Sequence, residues 1–213
     1  MVTSLSGRII AHRGLWVKES EQNSDTSIIR ALKSNFGLET DFRDHLGKVF
    51  VSHDPILENT DSFGLIDILT VSSSEQLLAL NLKSSGLLKL ISEETIQMLH
   101  TKKYFFFDLS FPEVLQYKSL GLSVAARVSE FEKEISFETN HIWLDSFNSD
   151  WWLDSGELID LLTEFNITVV SPELHGRDKE NAWKRLTFLY RENSNLSICT
   201  DHPLDFWKRI SND

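Results

Sequence analysis

Four residues stand in patterns that can do chemistry: the histidines His12 and His53, and between them the carboxylates Glu39 and Asp41. Glu39 and Asp41 are two positions apart in Gly37-Leu38-Glu39-Thr40-Asp41-Phe42, a run that reads as a strand. Successive strand residues alternate between faces, so both carboxylates point the same way. Two carboxylates on one face repel unless something cationic lies between them. Hard oxygen ligands suit Mg2+ or Ca2+ better than zinc. Taken alone, the pair also fits an exposed strand end neutralised by a neighbour such as Arg43. His12 closes an apolar run and precedes Arg13-Gly14. A glycine there lets the backbone turn tightly, and the planar fork of Arg13 suits phosphate oxygens. In His53-Asp54-Pro55, Asp54 can orient the imidazole or cap a turn. Two histidines can act as general acid and base, and a metal can polarise a phosphoryl group.

Short β-rich runs followed by stretches of helical spacing must position these residues. The runs are 8–11, 37–42, 80–83, 104–107, 122–126, 141–144, 167–170 and 196–199, with a small extra strand at 48–51. Helical stretches follow, among them one with Ile28, Ile29 and Leu32 on one face. A long helix is expected from about Gly86 to His100, and another carries Leu158, Ile159, Leu162 and Phe165. Eight strand–helix units predict a compact α/β fold, a (β/α)8 TIM barrel with short loops, as a single domain over residues 1–213. A doubly wound open sheet is the alternative. In a barrel the chemistry lies where strands end. His12, Glu39, Asp41, Asn81, Lys83, Asp108, Arg127, Asp145, Glu173 and Asp201 all fall at such places.

Composition narrows the classes. The 213 residues carry 32 acidic against 21 basic side chains, a net charge of −11. Such a surface repels a phosphate backbone and argues against a nucleic-acid binder, while leaving room for a local basic pocket. The single cysteine, Cys199, lies in an apolar run and reads as a buried small hydrophobe. It cannot form an internal disulfide, which fits a reducing compartment. Met1–Gly7 lacks the pattern of a secretory leader, and no apolar run reaches the length of a membrane span. The expectation is a soluble, cytoplasmic protein without stable membrane insertion, acting on a small-molecule phosphodiester.

The string His12-Arg13-Gly14, Asn23-Ser24, Glu39-Thr40-Asp41 and then Gly47 through Asp54 resembles the N-terminal signature of the glycerophosphodiester phosphodiesterase family. Thr200-Asp201-His202-Pro203 is similar to that family's ending on the last barrel strand. The resemblance brackets the chain, strong over 8–54 and weak between. It implies a (β/α)8 barrel, a divalent cation, and hydrolysis of a glycerol-based phosphodiester to an alcohol and a phosphomonoester. It also implies that His12 and His53 form the acid–base pair, that Arg13 contacts phosphate, and that Glu39 and Asp41 bind the metal.

Three places depart from the pattern. The family's strand-three Glu-x-Lys reads Asn81-Leu82-Lys83 here, so the lysine is kept and the carboxylate is lost. Asp108 at the end of the fourth run can supply the third metal ligand, with the Asn81 amide as the alternative; Asp108 also fits a helix cap. The stretch between His53 and Asn81 is short. The family's Pro-Glu-Asn-Thr has become Glu21-Gln22-Asn23-Ser24. Lys83 is expected to share the phosphate charge with Arg13. Arg127 suits the second half of a substrate or an ion pair with its surroundings. Trp151 and Trp152 suit either a cover over a ligand or packing under a loop. His45, His100, His141, His175 and His202 read as surface or packing residues. Two further readings stand beside hydrolysis: a lyase giving a cyclic phosphate, and a degenerate barrel that binds a phosphorylated headgroup without turnover.

Overall fold

A computed structural model describes residues 3–57, 63–154 and 156–211. Of the N-terminal stretch read for a leader, Met1 and Val2 lie outside these residues. Eight parallel strands alternating with helices make the fold a (β/α)8 barrel. The elements fall into two compact units, residues 1–124 and 125–213.

The first unit holds β1 (Ile9–His12), β2 (Gly37–His45), β3 (Lys48–Val51), β4 (Leu77–Leu82) and β5 (Lys103–Phe107). Its strand order is β5-β4-β2-β1, all parallel, with β3 antiparallel to β2. Parallel strands covered on both faces read as continuous apolar runs. Accordingly β4 is buried along its whole length, and Ile9, Ile10, Leu38, Leu78, Leu80, Phe105 and Phe106 are inaccessible. The helix Asp25–Lys33 buries Ser27, Ile28, Ala31 and Leu32. Its face is therefore rotated from the expected one: Ala31 joins the core, and Ile29 is only half-buried.

The second unit holds β6 (Ala125–Val128), β7 (His141–Leu144), β8 (Asn166–Val170) and β9 (Leu196–Thr200), parallel in the order β9-β8-β7-β6. Its core packs Trp152, Trp183, Tyr190 and Phe206, with Trp183 and Tyr190 edge-on to Phe206. Cys199 is fully buried there, as a small hydrophobe.

Several elements differ from their sequence expectation. The helix expected from Gly86 to His100 is two pieces, a 3-10 turn Leu87–Leu90 and an α-helix Glu93–Leu99. Ser92 separates them, because its hydroxyl accepts from Thr95 N–H and restarts the helix as an N-cap. The fifth core strand begins at Ala125, not Leu122. Gly121 and Leu122 still bond back to the carbonyls of Lys118 and Tyr117, so they finish the preceding helix. Phe165 lies past the helix Glu157–Leu162, and its carbonyl accepts from Asn195 instead. A helix, Leu65–Val71, occupies part of the connection between His53 and Asn81.

One buried amide joins helix, loop and strand in the first unit. Gln76, just before β4, donates to the carbonyls of Leu32 (2.9 Å) and Phe36 (2.6 Å) and accepts from Ser73 N–H (2.8 Å). Leaving such groups unpaired out of water costs about 1–3 kcal/mol. Gln76→Ala should therefore lose stability of that order in urea denaturation. A change within about 0.5 kcal/mol, as for an ordinary surface substitution, would contradict the role.

Candidate active site

The site is assembled at the ends of β1, β2 and β4. In register, His12 lies opposite Glu39, and Asp41 lies opposite Asn81. Partners in register on parallel strands point to the same face, so these four side chains share one face of the sheet. The β1 ladder continues one step further, as Arg13 N–H donates to the Glu39 carbonyl at 3.0 Å. The backbone then turns sharply through Arg13 (φ 55°) and Gly14 (φ 91°). A Cβ on Gly14 would lie 2.6 Å from Ser27 Oγ and 2.7 Å from the Ser27 backbone carbon. Only glycine fits that approach and that dihedral, and the turn is what swings the Arg13 side chain toward β2.

Asp41 is the centre of the arrangement. It is 1 % exposed, with Arg13 Nε 3.1 Å from Oδ2 and Lys83 Nζ 3.3 Å from Oδ1. Asn23 donates to Oδ2 at 2.8 Å. The second terminal group of Arg13 is taken by Gln22 Oε1 at 3.1 Å. The alternative of an exposed strand end paired with Arg43 does not hold. Both carboxylates are buried, and Arg43 instead donates to the His53 carbonyl at 2.8 Å.

Glu39 is 2 % exposed and has weaker company: Arg13 N–H at 3.3 Å and His12 Nε2 at 3.8 Å. Burial, reinforced by the charge of Asp41, pushes its pKa up to about 7, against the pull of His12, Arg13 and Lys83. Two buried acceptors beside it, Asp41 Oδ1 and Asn81 Oδ1, receive no hydrogen bond among the described residues. Clustered buried oxygens without donors, on residues of hard-ligand type, suit an Mg2+ or Ca2+ ion.

His53 follows β3 in a loop tied down by Ser52 N–H, which donates to the Asp41 carbonyl at 3.0 Å. Its Nδ1 is 2.9 Å from the exposed carboxylate of Asp54, and its ring is nearly half exposed. Asp108 follows β5 with a left-handed backbone (φ 63°) and an exposed side chain. Ser110, not Asp108, stands at the cap position of the next helix. No group of three His, Cys, Asp or Glu side chains gathers around a common point among the described residues, so Asp108 does not join Glu39 and Asp41 there. Asn81, adjacent to Asp41 in register, does stand beside them.

In the second unit Arg127 is paired with Glu132 through both Nε and a terminal nitrogen. Trp152 is core, and Trp151 donates to the Asp145 carbonyl while Lys133 sits over its ring. The strand ends there carry two pairings that sequence reasoning missed. His175 Nε2 is 2.7 Å from Asp145 Oδ1, with the Phe147 ring 4.8 Å away. Glu173 accepts from Ser171 Oγ, Thr200 Oγ1 and Asp201 N–H. His175 lies 30 residues from Asp145, with no local pattern linking them. In the first unit Asn23 carried a signal, its place in the Glu-Gln-Asn-Ser string, but no role.

The Glu39 shift has a measurable consequence. A carboxyl whose folded pKa is raised binds protons that the unfolded chain has already released. Its contribution is fully present below the ordinary carboxylate range and is lost as pH rises through about 7. Metal-free protein should therefore lose stability relative to Glu39→Gln between pH 5 and pH 8. Parallel urea curves at the two pH values check this; an unchanged difference would place the Glu39 pKa elsewhere.

No protein-family model matches the chain, and no curated protein matches it. Solved structures do. One, from Galdieria sulphuraria and provisionally described as a glycerophosphodiester phosphodiesterase, is 15 % identical with a TM-score of 0.64 over 96 % of this chain and 97 % of that one. Another is an Oleispira antarctica phosphodiesterase in complex with the product sn-glycerol-3-phosphate, 15 % identical with a TM-score of 0.62 over 99 % of both chains. From end to end, this chain is built on the same barrel fold as these two proteins.

Proposed function

We propose that the protein hydrolyses a glycerophosphodiester, or a similar small phosphodiester, to an alcohol and a phosphomonoester with the help of Mg2+ or Ca2+. The observation that carries this reading is the convergence of Arg13 and Lys83 on buried Asp41, beside Glu39 and His12, at the strand ends of a barrel. Arg13 and Lys83 are balanced by Asp41 in the protein alone, and a divalent cation held by the two carboxylates would leave the cluster net positive and so select an anion. The product-bound Oleispira antarctica phosphodiesterase, on the same fold, supports a glycerol phosphate as that anion.

Glu39 and Asp41 would hold the cation, with the Asn81 amide oxygen as third protein ligand in preference to the exposed Asp108. When bound, it polarises the phosphoryl group as a Lewis acid. Arg13 and Lys83 share the charge on the phosphoryl oxygens and orient them. His12 and His53 divide the proton transfers. One takes a proton from the attacking water or hydroxyl, and the other gives one to the leaving alkoxide. Glu39 faces the ring of His12 and Asp54 that of His53, and each can orient its imidazole. Arg127 is held by Glu132 and takes part only if a substrate displaces that pair. Cys199, buried and reduced, suits the cytoplasm as the site of action; no described helix is long and apolar enough to cross a membrane.

The neutral Asn81 in the place of a carboxylate favours a second reading, a barrel that binds a phosphorylated headgroup without turning it over. Turnover of bis(p-nitrophenyl) phosphate separates the two. Hydrolysis predicts a bell-shaped pH profile, loss of activity in EDTA, and a fall of about 100- to 10,000-fold in His12→Ala and in His53→Ala. With a glycerophosphodiester as substrate, whose free hydroxyl can cyclise, phosphorus NMR of the product should show a phosphomonoester; a cyclic phosphate would make the enzyme a lyase. Full activity in both histidine variants would sink the acid–base assignment.

A further inference from the structure

The connection between β1 and the helix Asp25–Lys33 carries, after a 3-10 turn Glu19–Glu21, two consecutive amides, Gln22 and Asn23, whose side chains address the ion pair at the centre of the site. Asn23 adopts the left-handed backbone region (φ 57°). Asparagine tolerates that region, usually by bonding to its own local backbone. Here its side chain reaches across to β2 instead. Its amide nitrogen donates to Asp41 Oδ2 at 2.8 Å, and its amide oxygen accepts from Thr40 Oγ1 at 2.7 Å. A carboxylate can only accept, so the amide has one orientation that satisfies both partners. The Asn23 N–H also donates to the Arg13 carbonyl at 2.9 Å. Gln22 Oε1 meanwhile holds one terminal nitrogen of Arg13 at 3.1 Å.

An arginine beside a buried carboxylate ordinarily closes into a bidentate pair with two parallel bonds. That does not happen here. Arg13 faces Asp41 through Nε, and one of its terminal nitrogens is turned to Gln22. Asp41 Oδ2 is taken by Asn23, and Oδ1 faces Lys83 without accepting a hydrogen bond. Both holders are neutral, so they restrain the pair without cancelling either charge.

Resting on the phosphodiester reading, we propose that Gln22 and Asn23 are positioning residues that keep Arg13 and Asp41 from locking into a bidentate pair. Arg13 then stays available to phosphate, and Asp41 Oδ1 stays open. Without either amide the guanidinium and the carboxylate satisfy each other, and an incoming phosphoryl group must break them apart.

Isothermal titration with inorganic phosphate, with Mg2+ present, tests this. Asn23→Gly keeps the positive φ and removes only the side chain. Gln22→Ala lies outside the left-handed turn and serves if the glycine variant folds poorly. Each should bind phosphate about tenfold more weakly or worse, and Asn23→Gly, which strips buried Asp41 and Thr40 of a partner, should also lower the melting temperature by several degrees. A structural role alone would not couple to the chemistry of residue 13. Lysine cannot form the bidentate pair, so in an Arg13→Lys background either substitution should cost less than about threefold. Unweakened phosphate binding in both single variants, an equal loss in the Arg13→Lys background, or a parent that binds no phosphate would overturn the proposal. A parent that binds phosphate with this pattern but turns over no diester would leave it standing and remove the hydrolase reading.

Discussion

Asp41 places a carboxylate where water does not reach. Burying an ion costs several kcal/mol even after the protein relaxes around it. The structure offsets this with two cations on opposite sides of the carboxylate, Arg13 from β1 and Lys83 from just beyond β4, and with the Asn23 amide. Three segments distant in sequence are drawn to one atom group. The strand order β1-β2-β4 lets them arrive, because β2 lies between the two strands that carry the cations. The Gly14 turn, the left-handed Asn23 and the tie from Ser52 to the Asp41 carbonyl all serve the same convergence.

Glu39 lives off what Asp41 leaves over. Both cations are nearer its neighbour, and Glu39 is met by the Arg13 N–H at 3.3 Å and by His12 at 3.8 Å. Burial first, and then the charge of Asp41, raise its pKa. Under the proposed reading, a divalent cation would answer both this buried carboxylate and the Asp41 and Asn81 oxygens that accept no hydrogen bond.

Much of the frame was legible in the chain. Strand–helix alternation gave eight units because each parallel strand is covered on both faces and must be apolar throughout, as in Tyr104-Phe105-Phe106-Phe107. Element ends were less legible. Ser92 splits a helix by capping it with its hydroxyl and Gly121 prolongs a turn through its backbone N–H, bonds that periodicity does not register. The shared face of Glu39 and Asp41 also followed from spacing alone, since alternation along a strand needs no tertiary information.

Partnership was the part that spacing did not carry. Arg43 is two positions from Asp41 in the chain but turns to the His53 carbonyl, while Arg13 and Lys83 come from 28 and 42 positions away. Asp145 and His175, and Glu173 and Thr200, find each other in the same way across parallel neighbours. The sequence by itself determined the strand-and-helix grammar, the pair of carboxylates on one face and the histidines on either side. Tertiary structure alone decided that the carboxylates are buried, which cations answer them, and that Asn81 and not Asp108 stands beside them. The reason is physical: local pattern sets which way a side chain points, but a buried charge is answered by whatever the neighbouring strand delivers. That neighbour is chosen by the fold.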